Sequence, residues 1–310
     1  MLRFHAMREV SLVMPCYNEE KRLPQSLILD YLSSHPHVAI LLVNDGSVDK
    51  TGALIDHLSA ENPSQIRTLH LEKNCGKAEA VRRGMLALYE QAPGPWFGFW
   101  DADLAMPMGD VDRLLNNADT DDVKMAMCSR LKCLGAFVER PLWRHLASRV
   151  MAALIAMTLR LPVYDTQCGG KLIRRDIVPY VFGRPFLSRW LFDVEILARM
   201  LQRDPNIAQN RSVIEVPVSS CLNVPGSKIK KRHFVGALVD IVRIYRAYRF
   251  GRHSKDAANV YPLVGSPFVQ AQPSPDTQPV SRRILQSLPD GAGTKFQAKK
   301  PSRSEENISF

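Results

Sequence analysis

Asp101 and Asp103, separated by the single small residue Ala102, stand directly behind the apolar run Trp96-Phe97-Gly98-Phe99-Trp100. Two carboxylates emerging together at the end of a buried strand can hold a divalent cation through hard oxygen donors. The cation can in turn grip a diphosphate and make it a better leaving group. The triplet alone is weak evidence, because Asp-x-Asp is ordinary turn and helix-start chemistry. Two further polar clusters sit in the same kind of place: Pro15-Cys16-Tyr17-Asn18-Glu19 follows the apolar run Val10 to Met14, and Asn44-Asp45-Gly46-Ser47 follows Val38 to Val43.

The elements that must position these clusters are legible from periodicity. Val10 to Met14, Val38 to Val43, Ile66 to Leu71 and Trp96 to Trp100 read as strands. Leu23 to Leu32, Thr51 to Leu58 and Gly76 to Tyr89 read as helices between them, with Ser47 and Asp49 as candidate caps of the second. The alternation β-α-β-α-β-α-β predicts a mostly parallel sheet covered on both faces. In such sheets ligands collect at the carboxyl ends of the strands, so all three clusters are expected on one rim.

The chain has 310 residues, and 41 Lys+Arg against 31 Asp+Glu give a net charge of +10. That excess points to an anionic partner: nucleic acid, a phosphorylated substrate or an acidic lipid surface. A nucleic-acid-binding protein would explain the charge but not an acidic pair on the same rim, so no nucleic-acid partner is expected. The six cysteines show no Cys-x-x-Cys pairing, which indicates neither a zinc site nor a disulfide framework. No apolar run is long enough to span a bilayer. From Gly251 onward Pro, Ser, Gln and Lys replace apolar periodicity, and a disordered tail over 251–310 is expected. Phe234 to Phe250 reads as an amphipathic helix with Phe234, Leu238, Ile241 and Tyr245 on one side; Leu142 to Leu159 is a second apolar helix. Each fits either core packing or an interfacial role.

The segments PCYNEEKRLP, VNDGSVDKTG, NCGKAEAVRRGM, DADLAMP, DTQCGGK, FDVEI and EVPVSSCLNVPGSKI occur in that order. In them the chain resembles the family 2 glycosyltransferases that charge polyprenyl phosphates. It looks most like the dolichyl-phosphate β-glucosyltransferases and their prokaryotic relatives, with the dolichyl-phosphate mannosyltransferases as cousins. The resemblance implies an α/β GT-A fold: one Rossmann-like domain over 9–250, behind a leader of residues 1–8. It implies inverting transfer of glucose from UDP-glucose to a polyprenyl, dolichyl-type phosphate, assisted by Mg2+ or Mn2+. Ala105 stands where mannosyl relatives often carry Gln, which favours UDP-glucose over the alternative, GDP-mannose.

The resemblance also assigns roles. Pro15, Tyr17, Glu19, Val43 and Asp45 would hold nucleotide and ribose, and Lys77 at a helix start would face an anion, helped by free backbone N–H groups. Asp103 would ligate the cation and Asp101 the nucleotide or a metal-bound water, with Ala102 small enough for close approach. Arg130, with Arg140 and Arg144 as possible extensions, would contact substrate phosphate, and Lys228 would reach the donor diphosphate. Asp165, Gln167 and Lys171 belong to the segment expected beneath the sugar, with Asp165 also a candidate base; Gly170 replaces a Phe usual in relatives. Asp193 would orient the sugar or an arginine. A phosphate acceptor is already largely ionised near neutral pH, so positioning and electrostatics suffice without a strong base. Eukaryotic glucosyl relatives carry an N-terminal span; here eight residues precede the first strand, so peripheral contact with the cytoplasmic face of a membrane is expected. Processive synthases keep Gln-x-x-Arg-Trp, where this chain has Phe186 before Arg189-Trp190. A scaffold that binds nucleotide sugar without turning it over is the remaining alternative.

Overall fold

The computed structural model describes residues 9–131, 137–138, 142–221 and 232–248, of which 137–138, 142–148 and 232–235 are described as backbone only. The first part of the chain gives β1 (Val10–Cys16), α1 (Gln25–Ser34), β2 (Val38–Asp45), α2 (Thr51–Glu61), β3 (Ile66–Leu71), α3 (Lys77–Gln91) and β4 (Trp96–Phe99). Then come α4 (Asp110–Asn117), β5 (Met125–Ser129), β6 (Phe137–Val138), α5 (Leu142–Leu159) and β7 (Lys171–Arg174). A short 3-10 turn leads into α6 (Val178–Phe182), followed by α7 (Phe192–Arg203), β8 (Val213–Pro217), β9 (Ser220–Cys221) and α8 (Arg232–Tyr248).

Among the described residues seven strands form one sheet in the order β3-β2-β1-β4-β7-β5-β8, and β6 pairs with β9 apart from it. The strands are continuously apolar because both faces are buried. Leu12, Met14, Ile40 and Leu42 pack under α1, α2 and α4, while Val13, Leu41, Val43, Phe97 and Phe99 pack under α3 and α5 to α8. The period-2 alternation of each strand thus feeds two cores at once. Trp96, Phe97, Phe99 and Trp100 are all fully buried, and each such side chain contributes about 1.5–3 kcal/mol relative to exposure.

The first four strands run parallel as expected, with β1 flanked by β2 and β4. β7 departs from that pattern by running antiparallel to both β4 and β5. An antiparallel strand presents its start, not its end, at the rim where its neighbours finish. The reversal therefore carries the segment before β7, residues 165–170, to the carboxyl ends of β4 and β5.

The expected stripe on the last helix divides in two. Ala237, Ile241 and Ile244 enter the core, whereas Leu238, Val239, Val242 and Tyr245 are exposed. Ile241 therefore does not share a face with Leu238 and Tyr245, and the side chain of Phe234 lies outside the described residues. Polar groups fasten the helix as well: Tyr248 Oη donates to Glu195 Oε1 at 2.7 Å, and Ser188 Oγ donates to Asp240 Oδ2 at 2.6 Å. Arg199, itself buried, bonds Glu195 and the carbonyl groups of Arg184 and Pro185, which fixes the approach to α7. The expected tail over 251–310, Lys228, Arg140 and the side chain of Arg144 lie outside the described residues.

Candidate active site

The turn after β2 is built by its own side chains. Asn44 Oδ1 accepts from Ser47 N at 3.0 Å, an Asx turn. Gly46 adopts φ +61, and a Cβ there would stand 2.3 Å from the Lys73 carbonyl carbon, so glycine is required. Asp45 accepts from the backbone N–H groups of Cys75 at 2.7 Å and Gly76 at 2.9 Å. Burial pushes its carboxyl up, partly offset by those two bonds. The N–H groups expected to be free for an anion before α3 therefore already hold one, the Asp45 carboxylate, and Asp45 is first of all the anchor of the 73–76 loop.

Lys77, at the start of α3, reaches Asp101 instead: Nζ to Oδ1 is 2.5 Å. Burial pushes the Asp101 carboxyl up, but Lys77, with Lys171 and Arg130 behind it, holds it below the usual carboxylate range. Burial likewise pushes the Lys77 ammonium down, and Asp101, Asp193 and Asp103 outweigh it, leaving it raised. Asp103 accepts from Ala105 N at 3.2 Å and from Arg22 Nη2 at 3.1 Å. Ala102 is buried in the cluster beneath α1 and α4, so core packing already demands a small residue there.

The segment before β7 presses on this pair. A Cβ on Gly169 would lie 2.0 Å from Asp101 Oδ2, and one on Gly170 would lie 2.7 Å from the Trp100 ring. Trp100 therefore fills the space that a larger residue at position 170 would need. Arg130 follows β5 and is forked onto Asp165, Nε to Oδ2 at 2.6 Å and Nη2 to Oδ1 at 2.8 Å, with its backbone N on Oδ2 at 3.1 Å. Burial pushes the Arg130 guanidinium down and Asp165 more than compensates, so it stays raised and charged. Both Asp165 oxygens are thus committed to Arg130, which gives Asp165 a holding geometry rather than that of a base. Glu215 on β8 accepts from the N–H groups of Tyr164 and Asp165, both at 2.8 Å, and fixes the same corner.

Other expected positions are placed as follows. The Val43 side chain lies wholly in the core beneath α3, so only its backbone is near the rim. Pro15 ends the β1 ladder opposite Val43, Tyr17 is partly exposed after it, and Glu19 N donates to Thr51 Oγ1 at 2.8 Å. Lys171 is fully buried, its Nζ on Cys168 O at 2.5 Å and on Asp193 Oδ1 at 2.6 Å. Lys171 therefore faces inward rather than toward a ligand, and the partner of Asp193 is this lysine, not an arginine. The buried Gln167 Nε2 and Thr166 Oγ1 have no hydrogen-bond partner among the described residues, and such groups normally find one. Arg22 and Glu215 received no role from the sequence. The only signal for Arg22 was its place three residues past Glu19, and for Glu215 there was none, since it meets Asp165 across 50 residues of chain.

Asp101 and Asp103 fit Mg2+ or Mn2+. Both are half-buried oxygen donors in one loop, and such ions complete their shell with water and phosphate oxygens, so a dedicated cage is unnecessary. Among the described residues no group of three or more His, Cys, Asp and Glu forms a closed metal centre.

A mostly parallel sheet with polar loops converging on its carboxyl rim, an acidic pair at β4 and an arginine opposite, is the GT-A architecture expected of sugar transferases. The profile of glycosyl transferase family 2 matches residues 11–182, and the chain belongs to that family. A dolichyl-phosphate beta-glucosyltransferase of Trichomonas vaginalis is 32% identical over 254 residues, covering 77% of this chain and 74% of its own. The dolichyl-phosphate beta-glucosyltransferase of Dictyostelium discoideum is 30% identical over 257 residues, 78% and 75% of the two chains. Glucosyl-3-phosphoglycerate synthase from Mycobacterium tuberculosis in complex with uridine-diphosphate shares the fold, with TM-score 0.54 at 17% identity over 78% of this chain and 80% of that one. The same synthase has been crystallised with Mn2+, uridine-diphosphate-glucose and phosphoglyceric acid; that structure gives TM-score 0.51 at 19% identity over 76% and 79%.

Proposed function

We propose that this chain transfers glucose from UDP-glucose to the phosphate of a dolichyl-type polyprenyl phosphate at a membrane surface, in a single inverting displacement. The observation that carries this reading is the relationship, over three quarters of the chain, to proteins named dolichyl-phosphate beta-glucosyltransferase. The geometry supports it. The loop after β1, with Pro15, Tyr17 and Glu19, and the turn anchored by Asp45 line the side where a nucleotide would sit. Asp101 and Asp103 would hold Mg2+ or Mn2+, which supplies positive charge for the departing diphosphate. Lys77 adds a cation beside Asp101, and Lys228 is assigned to the same diphosphate.

On the other side Arg130, oriented by Asp165, attracts the acceptor phosphate. Because that phosphate is ionised at neutral pH, no residue needs to remove a proton from it. Thr166 and Gln167 offer polar atoms for sugar hydroxyls, while the buried Lys171–Asp193 pair holds the backbone at Cys168 and thereby Gly169 against Asp101. Val150, Leu154 and Met157 on α5 and Leu238, Val239, Val242 and Tyr245 on α8 are exposed, with Arg243 and Arg246 beside them. An apolar patch bordered by arginines fits the cytoplasmic interface of an acidic bilayer. No helix among the described residues is long and apolar enough to cross one.

The test is incubation with labelled UDP-glucose, GDP-mannose or UDP-N-acetylglucosamine and a short polyprenyl phosphate, with and without EDTA. Label from UDP-glucose should enter the organic phase, in β linkage, only with divalent metal. Asp103→Ala should lower the rate by about a thousandfold, the scale of losing several kcal/mol of charge stabilisation. Label entering lipid from GDP-mannose alone, or full activity in EDTA, overturns the assignment.

A further inference from the structure

Resting on that reading of the rim, we propose that Arg22 is a counter-ion latch: it holds Asp103 while no cation is bound, is displaced by the cation, and then binds the donor diphosphate. The loop carrying it is bolted to the turn after β2. Asn18 N donates to Ser47 Oγ at 3.0 Å, Glu19 N to Thr51 Oγ1 at 2.8 Å and Glu20 N to Asp49 Oδ2 at 3.3 Å. Arg22 N and Leu23 N both donate to Glu19 O at 2.9 Å. From this fixed backbone the Arg22 guanidinium extends to Asp103, 81 residues away in the chain.

Its contacts there are few. Nη2 makes one bond, at 3.1 Å, to Asp103 Oδ2, and Nε faces Glu19 Oε2 at 3.5 Å without forming a hydrogen bond to any described residue. A guanidinium built only to hold a carboxylate is forked onto it, as Arg130 is on Asp165. Arg22 keeps most of its donors unspent beside the carboxylate where a cation would arrive.

The electrostatics then set a sign. A divalent cation on Asp103 takes the charge that Arg22 neutralises and repels the guanidinium, so without nucleotide the two compete. A diphosphate bound to the same cation brings negative charge into reach of those unspent donors, so with nucleotide the two cooperate. A purely structural arginine would not reverse sign, and a plain phosphate ligand would leave metal affinity unchanged.

The experiment uses the full chain as wild type and as Arg22→Ala. Mn2+ binding without nucleotide is read by electron paramagnetic resonance of the free ion. UDP and GDP binding at saturating Mn2+ are read by calorimetry. The expected result is Mn2+ binding about threefold tighter in R22A, the scale of a released, partly exposed ion pair. UDP binding should be about tenfold weaker, the scale of one charge-assisted contact. Mn2+ affinity that is unchanged or weaker in folded R22A, or UDP affinity that is unchanged, overturns the latch. Circular dichroism melts check folding, and Arg22→Gln carries the same comparison if R22A melts early. A wild type that binds GDP and not UDP sinks the donor assignment above, while the Mn2+ comparison without nucleotide still decides the latch.

Discussion

On the side of the rim formed by β1, β2 and β4, Asp101 and Asp103 each meet a cation through a single contact, Lys77 and Arg22, and the four side chains are between 24% and 40% exposed. On the side formed by β5, β8 and the start of β7, Arg130 and Asp165 are forked together at 18% and 13% exposure, with Glu215 closing the corner from behind. The first arrangement can exchange partners, because breaking one partly hydrated contact is cheap. The second cannot, because opening it would leave a buried charge unpaired. One side is made to accept and release a charged ligand; the other is made to hold an arginine in place.

The contrast can be broken most severely at Gly169, where the two sides touch. Gly169→Ala should push Asp101 out of position and lower kcat by about a hundredfold, the scale of a displacement near 1 Å, with little change in melting temperature. Wild-type turnover in that variant would mean that the close approach of residue 169 to Asp101 is unimportant.

A second comparison separates the ion pairs by stability. Arg130→Ala strands Asp165 and should cost about 2–4 kcal/mol in urea unfolding. Lys77→Met breaks a half-exposed pair and should cost no more than about 1 kcal/mol. Equal costs would erase the distinction between an exchangeable and a fixed side.

The smallest effect is chemical. Burial, then Glu19, pushes the Cys16 thiol up to about 12, and contact with Cys168 together with burial raises the Cys128 thiol well above its ordinary value. A raised thiol stays protonated and unreactive until the pH passes its folded pKa. At pH 8 iodoacetamide should therefore label the partly exposed Cys75 and spare both. In mild urea Cys16, below the exchangeable side, should label before Cys128, below the fixed one; the reverse order would contradict the comparison.

Much of the fold was legible in the chain. Ile66–Leu71 appears at the bounds its apolar run predicts, and the strands from β1 to β4 alternate with helices as their periods require. The Asp101–Ala102–Asp103 cluster stands at the end of β4 for the same local reason. Legibility fell where partners are distant. Nothing in Lys171-Leu172-Ile173-Arg174 says that this strand enters the sheet reversed, since period and burial are the same in either direction. Lys171 read as a residue for a ligand because its charge is visible in sequence while its burial against Asp193 is not.

The sequence by itself determined the alternation of strands and helices, the three polar loops at strand ends and membership of the family, because these rest on residues adjacent in the chain. The tertiary structure alone decided that Asp45 grips the 73–76 loop, that Arg22 and Lys77 fall on Asp103 and Asp101, and that Arg130 is locked to Asp165. Those outcomes depend on the direction of β7 and on which side chains the packed helices bring within hydrogen-bonding distance. Charge pairing acts over a few ångströms of space, and separation along the chain does not encode it.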